Sequence, residues 1–231
     1  MLSEWLNPVT VPVFERDYLR KQPYARPGSA TGAVAVVRWE ILDRVLAVES
    51  ADVLVVARGK LVDAPRPRSL ADLRSLMKNG IGIVARRAER HEPALAAIAL
   101  SFAQDLRGEA HIQLFVTPGG THGFGWHYDR EDVFVAQTDG IKDYFFRANT
   151  VTGDGLSGRM DFETFRREVS PLGTARLILG DWLYIPAGWW HMAKCIEDSL
   201  SMPIGVLLDD SKYNNTELPD RPAQPKTPLP E

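Results

Sequence analysis

The chain has 231 residues, of which 45% are hydrophobic and 25% are charged, and its formal net charge at pH 7 is −3. This composition supports an apolar core, and the mild charge excludes a polybasic surface for nucleic acid or an anionic membrane. The single cysteine, Cys195, excludes an internal disulfide framework, and no segment approaches the roughly 18 uninterrupted apolar residues of a transmembrane helix. We therefore expect a cytoplasmic protein with neither a nucleic-acid nor a membrane partner.

The first half of the chain carries both helical and strand-like patterns. Apolar residues at helical spacing predict three helices, and the last of them has Pro93 in its first turn and a stripe that includes Leu95 and Phe102. Short apolar runs predict buried strands between the helices. The predicted helices span residues 38–48, 69–78 and 92–106, and the predicted strands span residues 53–57 and 81–86.

From residue 112 onward the pattern changes to short strands and turns. Strands are predicted at 112–117, 131–137, 143–150, 175–178, 181–185 and 199–208, with a short helix at 162–169. The chain thus has a helical N-terminal part at residues 1–110 and a β-rich core at residues 111–208. This order predicts one α+β domain in which the sheet closes into a double-stranded β-helix. Residues 209–231 are polar and proline-rich, which predicts a flexible tail.

Two stretches carry the candidate chemistry, GGTHGFGWHYDREDVFVAQ at 119–137 and GDWLYIPAGWWH at 180–191. Residues two apart on a strand project to the same side, so His127 and Asp129 can share one metal ion while Tyr128 faces away. His191 is the candidate third ligand. Two histidines and one carboxylate form the facial triad that leaves open positions on a non-heme Fe(II) ion.

These residues carry a family resemblance. The pattern PGG…HYDREDVFVAQTDGIKDYFF followed by GDWLYIPAGWWH resembles the JmjC/cupin-type 2-oxoglutarate oxygenases, and most of all their ribosomal-oxygenase (cupin-4) branch. Weaker similarity upstream extends the resemblance over roughly residues 12–208. It implies a jelly-roll, JmjC-like barrel with Fe(II), 2-oxoglutarate and O₂ as cofactors. It also implies that Lys142 binds the distal carboxylate of 2-oxoglutarate.

Other polar residues on the predicted strands are candidates for the cavity wall. Gln113, Thr117 and Ser201 are predicted to contact the co-substrate, although an ordinary place in the barrel interior is the alternative for each. His122 is an alternative metal ligand in a glycine-rich loop. Residues for which packing is the expected role are Phe115, Ser199, Tyr128, Trp126, Trp189, Trp190, His91, His111 and Cys195.

The predicted function is hydroxylation of a protein or peptide side chain, coupled to decarboxylation of 2-oxoglutarate to succinate. A free amino acid or a natural-product precursor are alternative substrates. A non-oxidative cupin that uses Zn²⁺ or Mn²⁺ for isomerase or hydrolase chemistry is an alternative enzyme, and a metal-free binding module is a third reading. Members of the ribosomal-oxygenase branch carry further C-terminal domains that this chain lacks, so the substrate and the oligomeric state, a homodimer included, stay open.

Overall fold

The computed structural model describes residues 1–151 and 162–208. The helices are α1 (Leu2–Leu6), α2 (Val11–Asp17), α3 (Thr31–Val36), α4 (Trp39–Ala47), α5 (Leu70–Met77), α6 (Pro93–Leu106) and α7 (Phe162–Arg166). The strands are β1 (Tyr24–Arg26), β2 (Asp52–Ala57), β3 (Lys60–Leu61), β4 (Gly82–Arg86), β5 (Gly108–Ile112), β6 (Leu114–Thr117), β7 (Asp132–Asp139), β8 (Lys142–Arg147), β9 (Gly173–Leu177), β10 (Trp182–Ile185), β11 (Trp190–Cys195) and β12 (Ser199–Leu208). The predicted tail lies outside the described residues.

The strands form two antiparallel sheets. The major sheet has the order β1-β10-β7-β12-β6-β4-β2-β3, with β5 beside β12, and the minor sheet has the order β11-β8-β9. Strand β7 shows how the layers are built, because successive side chains point to opposite faces. Val133 and Val135 pack in a small core with Tyr144 of the minor sheet, whereas Phe134 and Ala136 face the helical core. This arrangement confirms the predicted α+β fold with a jelly-roll barrel.

The N-terminal half contributes to the same major sheet. Strand β4 pairs with β6, and β1 pairs with β10, so the two predicted parts of the chain share one sheet. Helix α6 covers the sheet, and its Phe102 lies edge-on to Trp5 and Phe134. Among the helices that the structure describes, none has the length and apolar character that crossing a bilayer requires.

Four of the strands, β1, β3, β5 and β11, were not predicted from the sequence, and β3 has only two residues. β1 has only three residues, and β5 reads GEAHI, in which glycine and polar residues hide the strand pattern. β11 begins inside the GWWH turn, which the sequence pattern treats as a loop. The predicted helix at 162–169 is shorter than expected and ends at Arg166. The sequence TGDGLSGRMD at 152–161, which indicates an interruption between strands, lies outside the described ranges.

Strand β12 is the centre of the major sheet. It pairs with β7 on one side, and on the other side it pairs first with β6 and then with β5. Pro203 lies where the partner changes, and its carbonyl accepts the N–H of Gln113 at 2.9 Å. The single predicted strand 112–117 is therefore broken at Gln113, which becomes a corner of the barrel.

Arg66 holds the end of helix α4 and the loop that leads to strand β2, and its loss should destabilise the fold. Its guanidinium donates to the carbonyls of Leu46, Val48, Glu49 and Ala51 at 2.6–2.9 Å. The planar fork of arginine can reach these acceptors together, whereas a lysine ammonium cannot. We expect Arg66→Lys to lower the free energy of unfolding by about 2–3 kcal/mol, measured by urea denaturation.

The matched control for this prediction is Arg68→Lys. The side chain of Arg68 is 71% exposed and lies 4.0 Å from Glu49, so its replacement should change stability by less than about 0.5 kcal/mol. Equal stability of the two variants would contradict the proposed role of Arg66.

Candidate functional site

A cavity lies between the two sheets and opens to solvent. It has about 610 Å³ of empty space, which includes the solvent at its opening. The walls come from strands of both sheets and from the glycine-rich loop before β7. Polar and charged residues on the wall are Gln113, Thr117, His127, Asp129, Glu131, Lys142, Tyr144 and His191.

His127, Asp129 and His191 form one cluster on this wall. Each offers one ligand atom, and these atoms lie within 4.8 Å of one another. Nε2 of His191 is 3.4 Å from Oδ2 of Asp129, and the centroids of the two imidazole rings are 4.2 Å apart. The structure thus brings together the three residues that the sequence selected as candidate ligands.

The backbone holds the two histidines side by side. The amide of His127 donates to the carbonyl of His191 at 3.1 Å, and the amide of His191 donates back at 2.7 Å. The premise that His127 and Asp129 lie on a regular strand is wrong, because His127 forms only an isolated bridge with His191 and β7 begins only at Asp132. Tyr128 does face away as expected, since its buried ring packs edge-on against Trp190.

Both imidazole rings are oriented by the chain that precedes them. Nδ1 of His127 is 2.7 Å from the carbonyl of Gly125, and Nδ1 of His191 is 3.0 Å from the carbonyl of Trp189. A carbonyl can only accept, so each Nδ1 carries the hydrogen, and Nε2 has a free lone pair whenever the ring is neutral. Two such nitrogens and a carboxylate oxygen are the donor set that fits a facial Fe(II) site.

The protonation of the cluster also suits metal binding. Burial and the neighbouring His191 lower the pKa of His127 to about 4, which keeps its ring neutral. Burial would raise the pKa of Asp129, but the hydrogen bond and charge of His191 outweigh it and lower the pKa to about 2. Burial opposes the charged form of His191, yet Asp129 raises its pKa. A metal ion would therefore compete with a proton at His191.

Lys142 lies elsewhere on the cavity wall, at the first position of β8. Its side chain is buried, its Nζ donates to Oγ of Ser201 at 2.9 Å, and it lies over the ring of Phe115. Burial lowers the pKa of Lys142, and the opposing influence of Cys195 is smaller. Within residues 1–151 and 162–208 no carboxylate forms an ion pair with it. A buried cation of this kind suits an anionic ligand.

The remaining sequence candidates divide into two groups. Gln113, Phe115 and Thr117 line the cavity, and Ser201 lies behind Lys142. The others have contacts elsewhere. Ser199 contacts buried Cys195, and Trp126 stacks on Phe165. The backbone of His122 forms an isolated bridge with that of Lys194, and the side chain of His111 contacts Glu131. His122 is not part of the ligand cluster.

Sequence reasoning missed two polar residues of the wall. Tyr144 is two residues after Lys142 on β8, and burial raises its pKa well above that of a free tyrosine. Glu131 is two residues after Asp129. Alternation along β8 places Tyr144 on the same face as Lys142, so the sequence pattern indicates this residue.

Comparison with known sequences gives one family and several relatives. Residues 91–215 match the family model of the JmjC domain. Ribosomal oxygenase 1 of Gallus gallus is 34% identical over 109 residues, which are 46% of this chain and 18% of that protein. The bifunctional lysine-specific demethylase and histidyl-hydroxylase NO66 of Drosophila pseudoobscura pseudoobscura is 24% identical over 213 residues, 88% of this chain and 22% of that protein. The chain spans about a fifth of the length of these curated relatives.

A solved structure shares the fold. The ribosomal oxygenase YcfD from Escherichia coli, in complex with cobalt and 2-oxoglutarate, superposes with a TM-score of 0.64. The alignment covers 96% of this chain and 63% of that chain, at 17% sequence identity. Similarity at this level shows a common architecture.

Proposed function

Because the chain belongs to the JmjC domain family, we propose that it is an Fe(II)- and 2-oxoglutarate-dependent oxygenase that hydroxylates a side chain of a protein or peptide. The observation that carries the proposal is the combination, in one cavity, of an N,N,O ligand cluster and a buried lysine that pairs with no carboxylate among the described residues. His127, Asp129 and His191 would hold the iron, and Lys142 would bind the distal carboxylate of 2-oxoglutarate.

The residues of the chain have distinct tasks in this reaction. When bound, the iron and 2-oxoglutarate supply the oxidative chemistry, in which O₂ converts the oxo acid to succinate and CO₂ and hydroxylates a C–H bond. The carbonyls of Gly125 and Trp189 orient the ligand imidazoles, and Ser201 orients the ammonium of Lys142. Gln113 and Thr117 line the wall that the co-substrate would contact, and the apolar residues around them exclude water.

A protein substrate is the part of the proposal that rests on the relatives. The relatives are named as a ribosomal oxygenase and as a bifunctional lysine-specific demethylase and histidyl-hydroxylase, and lysyl and histidyl groups are residues of proteins. A free amino acid or a natural-product precursor would meet the same iron and co-substrate. We further propose that the enzyme acts in the cytoplasm, where its one buried cysteine, Cys195, would stay reduced.

Anaerobic titration of Fe(II) and 2-oxoglutarate into the purified protein tests the proposed site. We expect a weak visible charge-transfer band that requires both reagents, and slow formation of succinate once air is admitted. His127→Ala should remove both signals, whereas the matched variant His91→Ala should keep them, because His91 does not line the cavity. Tight Zn²⁺ binding without such a band would instead support the non-oxidative cupin.

A further inference from the structure

The turn between β10 and β11, residues 186–189, contacts two of the three candidate metal ligands, and we call it the ligand turn. The amide of Gly188 donates to the carbonyl of Asp129 at 2.7 Å. The carbonyl of Trp189 lies 3.0 Å from Nδ1 of His191 and orients that ring. A displacement of the ligand turn would therefore move the backbone of Asp129 and the ring of His191 together.

Asp132, the first residue of β7, is a buried carboxylate that contacts the ligand turn. Only 1% of the residue is exposed, and it is not among the residues that line the cavity. Its Oδ1 accepts the amide N–H of Ala187 in a long hydrogen bond of 3.4 Å, and it accepts a short hydrogen bond from the hydroxyl of Tyr184. Tyr184 is on β10, which leads directly into the ligand turn. Asp132 therefore holds both the turn and the strand that enters it.

The N-terminal part of the chain supports this pair. The amide of Arg20 donates to the hydroxyl of Tyr184 at 2.7 Å, and Nε of Arg20 lies 3.6 Å from Oδ2 of Asp132. Arg20 follows helix α2 and has a φ of +60°, which is uncommon for a residue other than glycine. The ring of Tyr184 lies edge-on to Phe14 of α2. Contacts to the support of the metal cluster thus come from residues outside the 91–215 match to the family model.

The charge of Asp132 is costly to the fold. Burial raises the pKa of Asp132, and the hydrogen bond from Tyr184 and the charge of Arg20 oppose that rise only in part. Within the part of the chain that the structure describes, no donor forms a hydrogen bond with Oδ2 of Asp132. Replacing such a buried charge by a well-packed apolar residue is often neutral or stabilising. Stability alone therefore does not explain a carboxylate at this position, whereas the groups that Oδ1 holds do.

We propose that Asp132 and Tyr184 are positioning residues, which hold the ligand turn and thereby set the spacing of Asp129 and His191 for a metal ion. Asp132 acts through the hydrogen bonds of its Oδ1, and Tyr184 ties it to the backbone of Arg20. Neither residue touches the metal or the co-substrate. Groups that support metal ligands in this way typically contribute about 10- to 100-fold to metal affinity. This inference rests on the proposed metal site and adds two residues to its support.

Titration of the metal-free 231-residue chain with Co(II), without co-substrate, tests the proposal. The visible d–d bands of bound Co(II) give the dissociation constant and also report the coordination geometry. We expect Asp132→Ala to weaken Co(II) binding about 10- to 100-fold and to change the position and intensity of the bands. Tyr184→Phe keeps the aromatic ring and removes only the hydroxyl, so it should weaken binding about three- to tenfold.

Two control variants separate positioning from a general effect on the fold. Asp132→Asn keeps an oxygen that can accept from Tyr184 and Ala187, so it should bind Co(II) within about threefold of the wild type. Asp139→Ala removes a carboxylate from the other end of β7, where Oδ2 accepts the indole N–H of Trp39 at 2.5 Å. It should leave the affinity and the bands of Co(II) unchanged. Thermal unfolding curves identify the variants that are folded.

The outcomes separate this inference from the proposed function. A wild-type protein that binds no Co(II) would overturn the proposed metal site and this inference with it. If the wild type binds Co(II) and folded Asp132→Ala keeps its affinity and its bands, only the role of Asp132 and Tyr184 is overturned. If Asp132→Ala does not fold, unchanged affinity and bands in Tyr184→Phe have the same meaning. A folded Asp132→Asn that binds as weakly as Asp132→Ala would also overturn the role, because its oxygen acceptor is intact.

Discussion

Asp129→Ala is expected to abolish 2-oxoglutarate turnover and to weaken Fe(II) binding by at least about a hundredfold. Asp129 is the only carboxylate of the ligand cluster, so its loss removes the charge that balances the metal. It also removes the group that lies 3.4 Å from His191 and raises the pKa of that ring. The measurement is Fe(II) content after anaerobic titration, combined with succinate formation in air.

Asp143→Ala is the matched control for the first prediction. Asp143 is on strand β8, and its carboxylate pairs with Arg176 at 2.7 Å outside the cavity. Its replacement removes one negative charge from the same sheet without touching the ligand cluster, so metal content and turnover should persist. If Asp129→Ala retained metal and turnover within twofold of the control, the assignment of the metal ligands would be wrong.

Lys142→Met should weaken 2-oxoglutarate binding by about 10- to 100-fold and leave the metal content unchanged. Methionine keeps an unbranched side chain of similar length, so the change isolates the lost charge and its hydrogen bond to the co-substrate. The dissociation constant is obtained from the charge-transfer band in the presence of Fe(II). 2-Oxobutanoate, which lacks the distal carboxylate, should bind the wild type and Lys142→Met equally well.

Lys194→Met serves as the control here, because Lys194 is exposed on β11 and does not line the cavity. Its replacement should leave the affinity for both oxo acids unchanged. Equal loss of affinity for both oxo acids in Lys142→Met would contradict the assigned contact.

Without ligand, Lys142→Met should be more stable than the wild type. Burial lowers the pKa of Lys142, so its charged form costs stability below the pKa of unfolded lysine. A gain of about 1 kcal/mol would raise the melting temperature by about 2–4 °C.

Much of the fold could be predicted because its strands show alternation, and the candidate ligands stand out by their residue types and spacing. His127 and Asp129 are two residues apart next to β7, although they do not lie on a regular strand. The motif GWWH supplied His191, and the structure brings it to the other two. The α+β barrel and the family resemblance are confirmed, since residues 91–215 match the JmjC domain.

What the sequence could not supply is the pairing between distant strands. The bridge between His127 and His191 replaces a regular strand, and no local pattern reveals a contact between residues so far apart in the chain. Strand β5 was missed because its side chains are polar and partly exposed, and it gains its hydrogen bonds from β12. The sequence pattern also indicated a purely structural role for His111. Its contact with Glu131 forms only when β5 and β7 lie on either side of β12.

The position of β12 between two partners has a consequence for how such an enzyme can diverge. One strand carries Ser201 against the lysine and Gly205 against Glu131, and the two points are four residues apart, which is about 13 Å. Under the proposed role of Lys142, selection for 2-oxoglutarate binding preserves the neighbourhood of Ser201, whereas substitutions near Gly205 change another part of the wall. Conserved positions for co-substrate binding and variable positions of the cavity wall would then lie four residues apart on a single strand.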